Sequence, residues 1–485
     1  MKKNNLIEIL SKLSSKEFKE FGEYIRSPFF NKNESVINLY EQLSKMQPAG
    51  FKEEFDKEKI YKKIFPQVNY NEAFMKTVIF NLTKLAEDFL CYLRFNNDQG
   101  MKFNYLLTDL YERGIESVFL KRLKSIGKEI DEEKIRDANF FYNKYNIQVS
   151  REKYLVYHQR FLNYKDLPQK ETYSQDRYLS TFYFINILNY YRFLYNQKRL
   201  VNFDFEDNLV EMLIKYLKDN HQKYNSPQLD LHFYELILLK DGELSYFYKI
   251  KELVLKELNH FAWLIKYSAM SILLNYAMEQ YYNGRYNFLR ERFELYKLIL
   301  KHKLYTPIEG GFLKDLDFTN IVTVGLQMKE FDWTEKFMKE HRDKLKPDIR
   351  DNTYMLSLSS LSFAKGKFEL ALEYLSKVGS LDKAYFKKNL KNLTLKIYYE
   401  LGWNVQAADA VDTYRHFLSR DIVMPESQKR RSLNFLKFYN DLLKLKENKK
   451  SELINKVTAE LSGTPNVVER DWLLEKLNEL SAPST

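Results

Sequence analysis

Apolar residues recur at helical spacing almost from the start of the chain. Phe18, Phe21 and Ile25 follow one another at i, i+3 and i+7, which places them on one face of a helix. Ser14 and Glu17 precede that stripe with the spacing of a capping box, in which each side chain satisfies a backbone N–H that the first turn leaves free. Leu13 and Phe18 stand at the positions of a hydrophobic staple across the same cap, and Ser27-Pro28 ends the segment. A second predicted helix follows Asn33, with Val36, Leu39, Tyr40 and Leu43 as its buried stripe. A short third carries Ile60, Ile64 and Phe65 and closes at Pro66. A long fourth runs from about Asn71 to Arg94 with Phe74, Val78, Leu82, Leu85, Phe89 and Leu90. These four define an N-terminal helical module over residues 1–98.

Beyond residue 100 a different regularity begins. A helix ends in a small or polar turn, and the next helix opens with an apolar residue two positions later. Gly366, Phe368, Ala371 and Leu375 recur 36 residues on as Gly402, Asn404, Ala407 and Val411. Moving back 37 residues from Gly366 gives Lys329, Phe331, Thr334 and Met338. The same frame fits Gly284, Tyr286, Leu289 and Phe293, then Gly242, Leu244, Phe247 and Lys251, and Gly114 opens a similar unit with Phe119 and Leu123.

The stretch Leu361-Ser-Phe-Ala-Lys-Gly366-Lys-Phe368-Glu-Leu-Ala371-Leu-Glu-Tyr-Leu375 resembles a tetratricopeptide (TPR) repeat. The resemblance implies a glycine turn between paired helices, an aromatic packed back on the first helix, and an alanine where the two approach closely. The fold expected is therefore all-α: a TPR-like helical-hairpin solenoid over residues 99–480, preceded by the N-terminal module. Gly284, Gly366 and Gly402 are expected as its turns, and Ala371 and Ala407 as its close contacts. A last helix from Asn466 to Leu480, with Leu473, Leu477 and Leu480 on one face, is the kind of closing helix an open-ended array needs. Residues 481–485 read as a disordered tail.

Composition agrees with helices. The chain has 485 residues but only 14 glycines and 10 prolines, and aromatics make up 16% of it. Few turn formers and many ring side chains suit long helices in short connections and exclude a disordered class. The single cysteine, Cys91, excludes an internal disulfide framework and fits a reducing, cytoplasmic location. It sits in an apolar stretch and is expected as a small buried hydrophobe. The longest uncharged run of the aromatic region, Tyr178 to Tyr191, is 14 residues with two asparagines, too short and too polar to span a bilayer.

Catalytic chemistry leaves no trace in the spacing. His158, His221, His232, His260, His302, His341 and His416 are scattered, with no i, i+4 pair, no CxxC and no HExxH. No phosphate-binding glycine loop or nucleophile elbow occurs. No cofactor, metal site or catalytic residue is expected, and the chain reads as a non-enzymatic scaffold that binds a protein partner.

One segment stands apart. Residues 140–195 hold 17 aromatics in 56 positions, and residues 140–200 hold ten lysines and arginines against four acidic residues. Arg151, Lys153, Tyr157, Arg160, Arg177 and Arg192 could together form a partner-binding face, because aromatics interleaved with arginine grip peptides or stack on bases. Tyr154, Tyr157, Phe161 and Tyr164 also fall on one helical face, as a core stripe would, and core is the expectation preferred. Asp56 to Pro66, followed by Tyr70-Asn71 and the Phe74–Leu90 stripe, distantly resembles the winged-helix part of bacterial activators that precede helical-repeat domains. That resemblance implies an alternative role as a nucleic-acid-associated regulator, although the helix concerned sets only Lys76 and Lys84 against Glu72, Glu87 and Asp88.

Overall fold

A computed structural model describes residues 4–47, 55–157, 169–201, 205–379, 384–421, 424, 426–448 and 450–482. The chain is 80% helix, with 23 α-helices and no strand among the described residues. An isolated backbone bridge joins Leu313 and Leu345. Internal contacts divide the chain into two compact units, one of residues 1–131 and 143–171, the other of residues 132–142 and 172–485.

Seven helices lie wholly in the first unit: α1 (Asn5–Leu10), α2 (Ser15–Arg26), α3 (Glu34–Ser44), α4 (Lys57–Ile64), α5 (Glu72–Asn97), α6 (Gln99–Glu112) and α7 (Glu116–Asp131). An eighth, α8 (Ala138–Tyr157), enters it at Asn143. The first four helices pack on α5 or on one another around Leu6, Phe18, Phe21, Val36, Leu39, Ile60, Val78, Leu82 and Phe89. The capping box closes at both ends: Glu17 N–H donates to Ser14 Oγ at 3.2 Å, and Ser14 N–H to a Glu17 carboxylate oxygen at 2.8 Å. The Ser14 hydroxyl and amide hold the Glu17 carboxyl below its usual range. At Gly22 α2 packs closely against the Tyr40 ring of α3. A Cβ there would stand 2.5 Å from the Tyr40 hydroxyl, which donates to the Phe18 carbonyl at 2.9 Å.

Two readings of this unit need correcting. The buried face of α5 is Met75, Val78, Leu82, Ala86 and Phe89, at steps of three and four, while Phe74 and Leu90 are exposed. Cys91 is exposed rather than buried, because two residues past Phe89 the helix has turned about 200° away from the core. Where a wing hairpin would follow a recognition helix, α6 begins directly after Asp98, and Lys76 pairs with Glu72 at 2.9 Å.

The second unit takes the start of α8 and, from Thr172 onward, α9 (Gln169–Val201), followed by α10 (Asn208–Asn220), α11 (Pro227–Asp241), α12 (Leu244–Lys256), α13 (Trp263–Tyr282), α14 (Phe288–Lys301), α15 (Asp315–Gln327) and α16 (Phe331–His341). It continues with α17 (Pro347–Ala364), α18 (Phe368–Ser376), α19 (Ala384–Glu400), α20 (Asn404–Arg420), α21 (Glu426–Glu447), α22 (Ser451–Gly463) and α23 (Arg470–Ser481). From α11 to α23 each helix packs on its neighbour in sequence. Helices two apart also touch at α15–α17, α17–α19 and α21–α23.

The turns explain the pairing. Gly114, Gly242, Gly284, Lys329, Gly366 and Gly402 all have positive φ, between 61° and 94°. At five of them a paired hydrogen-bond pattern closes the preceding helix. After α17, for example, Lys367 N–H reaches the Ser362 carbonyl at 2.9 Å and Gly366 N–H the Phe363 carbonyl at 2.9 Å. Gly242 ends α11 with a single bond to the Leu238 carbonyl. Five residues after each turn the chain is buried at Phe119, Phe247, Thr334, Ala371 and Ala407. The turn at Gly284 departs by one residue: α14 starts at Phe288, which is buried, and Tyr286 is exposed.

The closing helix also differs from its reading. It starts at Arg470, because Asn466 (φ 58°) and Glu469 (φ 55°) take left-handed backbone before it. Trp472 and Lys476 are buried beside Leu473 and Leu477, so the buried face is one broad stripe that also takes in a lysine. Lys476 Nζ contacts Glu400 at 3.0 Å and Glu479 at 2.7 Å. Ser481 belongs to this helix, and residues 483–485 of the expected tail lie outside the described residues. No helix among the described residues is long and apolar enough to cross a membrane.

Candidate functional site: a cationic cleft on the α19–α20 hairpin

Helix α19 ends at the turn Leu401-Gly402-Trp403, and α20 folds back along it. Ala407 is fully buried where they meet. Lower down, the buried Tyr414 hydroxyl donates to Asn392 Oδ1 at 2.8 Å and fixes the register of the pair. That register sets Lys391 of α19 over the rings of α20, with its ammonium 6.0 Å from the Tyr414 centroid and 5.8 Å from that of Phe417. Thr413, His416, Phe417, Arg420 and Asp421 line the rest of an open cleft of about 530 Å³. The volume lies within the range of small-ligand and side-chain pockets, roughly 300–1,000 Å³.

Burial pushes the Lys391 ammonium below the usual lysine range. No carboxylate among the described residues pairs with it, and two ring faces lie at the outer range of a cation–π contact from its charge. The C-terminal end of α20 contributes roughly half a negative charge, which works against an anion here. Lys391 and Arg420 bring two positive charges against this and against the Asp421 carboxylate on the same wall, which leaves the cleft weakly positive. The arrangement suits one acidic group with an apolar neighbour: the carboxylate meets Lys391 and Arg420, and the apolar part lies on Phe417.

A second cavity, of about 140 Å³, lies between the α13–α14 turn and the α22–α23 loop. It is too small for an amino-acid side chain with its backbone, and its walls are already engaged. Asn466 N–H reaches the Tyr282 carbonyl at 3.3 Å, and Arg431 lies 4.3 Å over the Tyr282 ring while its Nε donates to Asn466 Oδ1 at 3.2 Å. Arg470 covers Tyr286 at 4.8 Å and donates to the Ser462 carbonyl at 2.9 Å. This is a clasp that joins distant parts of the unit.

The described basic and aromatic residues of the 140–200 segment stand in different environments. Arg177 and Lys153 are exposed, and Arg151 is half-buried. The Tyr157 side chain, Arg160, Phe161 and Tyr164 lie outside the described residues. Tyr154 is buried, with its hydroxyl on the Glu116 carboxylate. Arg192 is turned inward: its guanidinium donates to Glu235 Oε2 at 2.9 Å, Ser268 Oγ at 3.0 Å and Asn189 Oδ1 at 2.6 Å. Glu235 Oε2 also receives the fully buried His232 through Nδ1 at 3.0 Å. A neutral imidazole protonated at Nδ1 satisfies this contact and leaves Nε2 to accept from Gln228 at 3.2 Å. Burial works to raise the Glu235 carboxyl, but the Arg192 charge and the His232 contact prevail and hold it low. The polar pair His232 and Glu235, set among Leu229, Leu231, Phe233, Leu236 and Ile237, was a readable sign of a buried network.

Among the described residues no group of three or more His, Cys, Asp or Glu side chains could hold a metal ion. No family model, no curated protein and no solved structure matches the chain.

Proposed function

We propose that this protein is a non-enzymatic scaffold that binds an extended segment of a protein partner on a TPR-like helical-hairpin array, and that the α19–α20 cleft receives an acidic group of that segment. The observation that carries the reading is Lys391, a half-buried cation set over Tyr414 and Phe417 with no carboxylate paired to it among the described residues. The recurring left-handed turns and the run of contacts between neighbouring helices support the array, because each hairpin then needs the next to cover its apolar face. Such arrays present long surfaces to extended partners.

The experiment is a peptide-array titration by fluorescence anisotropy, followed by the same measurement on Lys391→Glu and Arg420→Glu. Peptides with a carboxylate beside an apolar residue should be selected, and each charge reversal should weaken them by tenfold or more. Selection of basic peptides, or affinities untouched by both reversals, rejects the cleft. The nucleic-acid reading has less support, since Arg192 is committed to Glu235 in the interior.

A further inference from the structure

Helix α9 has two sharply different faces. Toward the rest of its unit it buries Thr181, Ile185, Leu188, Tyr191 and Tyr195. Directly opposite, Leu179, Tyr183, Asn186, Tyr190 and Phe193 succeed one another at steps of four, three, four and three, a continuous stripe along the helix. Four of them are large and apolar, with 43%, 44%, 55% and 57% of their surface exposed. The run from Tyr178 to Tyr191 contains no charged residue. Neighbouring rings brace the stripe: Phe184 lies 5.7 Å from Tyr183, and Tyr191 lies 5.6 Å from Tyr190.

We propose that this stripe is the contact through which two copies of the chain associate, α9 crossing α9 in opposite directions about a twofold axis at Asn186. A twofold interface uses one patch twice, so the patch must match its own reversal. This one does. Leu179 and Phe193 each stand seven residues from Asn186, and Tyr183 and Tyr190 stand three before and four after it. In the antiparallel crossing Tyr183 of one copy meets Tyr190 of the other, Leu179 approaches Phe193, and the small Asn186 lets the helices close at the centre.

Net charge opposes self-association, so a contact between copies must fall on an uncharged patch. The chain carries a net charge of +11, so two copies repel wherever lysines face each other. The α9 stripe brings no charge to the contact. Area sets the strength: half-exposed aromatic side chains each bring on the order of 100 Å², so the four apolar residues cover roughly 400 Å² per copy. Their half-buried flanks add to this, but the total stays below the roughly 800 Å² per partner of a standard stable complex. The dimer is therefore weak and dependent on concentration.

The proposal is independent of the α19–α20 cleft and stands or falls by its own measurement. Sedimentation velocity of the full chain from about 1 µM to about 100 µM should show a monomer passing to a dimer. Tyr183→Glu with Tyr190→Glu should remain monomeric throughout, with unchanged helical circular dichroism. Should that variant fail to fold, Asn186→Cys in a Cys91→Ser background decides instead. It should form a disulfide-linked dimer on mild oxidation, because a residue on the twofold meets its own counterpart. A wild-type chain that stays monomeric, a dimer that survives the double substitution, or an Asn186→Cys chain that does not cross-link overturns it.

Discussion

The Tyr281 hydroxyl donates to Asp471 Oδ2 at 2.8 Å, joining the end of α13 to the start of α23 across 190 residues of sequence. A simple array of neighbouring hairpins has no such contact. Burial and the Asp471 charge push the Tyr281 phenol up, so it stays protonated as the donor at all ordinary pH. Tyr281→Phe should lower stability by about 0.5–1.5 kcal/mol, the net worth of one hydrogen bond. Urea denaturation followed at 222 nm measures it, and an unchanged midpoint would mean that the clasp contributes nothing to folding.

The turns offer a matched pair of substitutions. Gly366 and Lys329 both hold left-handed backbone, with φ of 73° and 61°, and nothing lies within 4 Å of a Cβ built on Gly366. Backbone conformation alone then decides, and an L-residue there costs about 1–2 kcal/mol. Gly366→Ala should destabilise by about 1 kcal/mol and Lys329→Gly should stabilise by a smaller amount. The shifts in melting temperature should have opposite signs.

Ala371 tests packing in the same hairpin. Its Cβ is fully buried between α17 and α18, and the Ser359 hydroxyl donates to its carbonyl at 2.7 Å. Ala371→Leu should overpack the contact and cost about 1–3 kcal/mol, read by chemical denaturation. A variant as stable as the wild type would mean that the two helices separate freely there.

These positions show what the sequence could convey. Glycine-ended helices and their apolar stripes depend on neighbours within a few residues, so Ser14, Gly366 and Gly402 are readable locally. The clasp is not, because Tyr281 and Asp471 carry no mark that relates them. The cleft was missed for a similar reason. Lys391 is one lysine among many, and its distinction arises only when α20 brings Tyr414 and Phe417 beneath it. Arg192 misled in the opposite direction, since its inward turn depends on Glu235, 43 residues away.

That inward charge makes a strong prediction. Arg192→Met leaves the Glu235 carboxylate buried without its cation, which should cost about 3–5 kcal/mol. Adding Glu235→Gln should recover most of the loss, because the amide still accepts from His232. A double variant no more stable than the single one, in a thermal melt at pH 7, would contradict a pairing role.

Asp317 supplies a pH dependence of known sign. Burial, aided by the Asp315 charge and opposed by Lys314, pushes its carboxyl up to about 6 from an ordinary value of 3.8. The native state therefore holds a proton that the unfolded chain has released. The associated stability is full below pH 3.8 and is lost as pH rises through about 6. Asp317→Asn should gain on the order of 1–2 kcal/mol relative to wild type at pH 7 and nothing at pH 3.5. A difference that does not change with pH would contradict the assignment.

The central claim, a scaffold that holds an acidic protein segment in the α19–α20 cleft, meets its most direct test in the cell. Tagged wild-type chain and a Lys391→Glu, Arg420→Glu variant are recovered in parallel from the native organism, with and without nuclease, and the associated proteins are quantified. The account predicts a discrete protein partner that withstands nuclease and falls at least tenfold in the folded variant. A partner retained equally by both chains, or one released by nuclease, would contradict it.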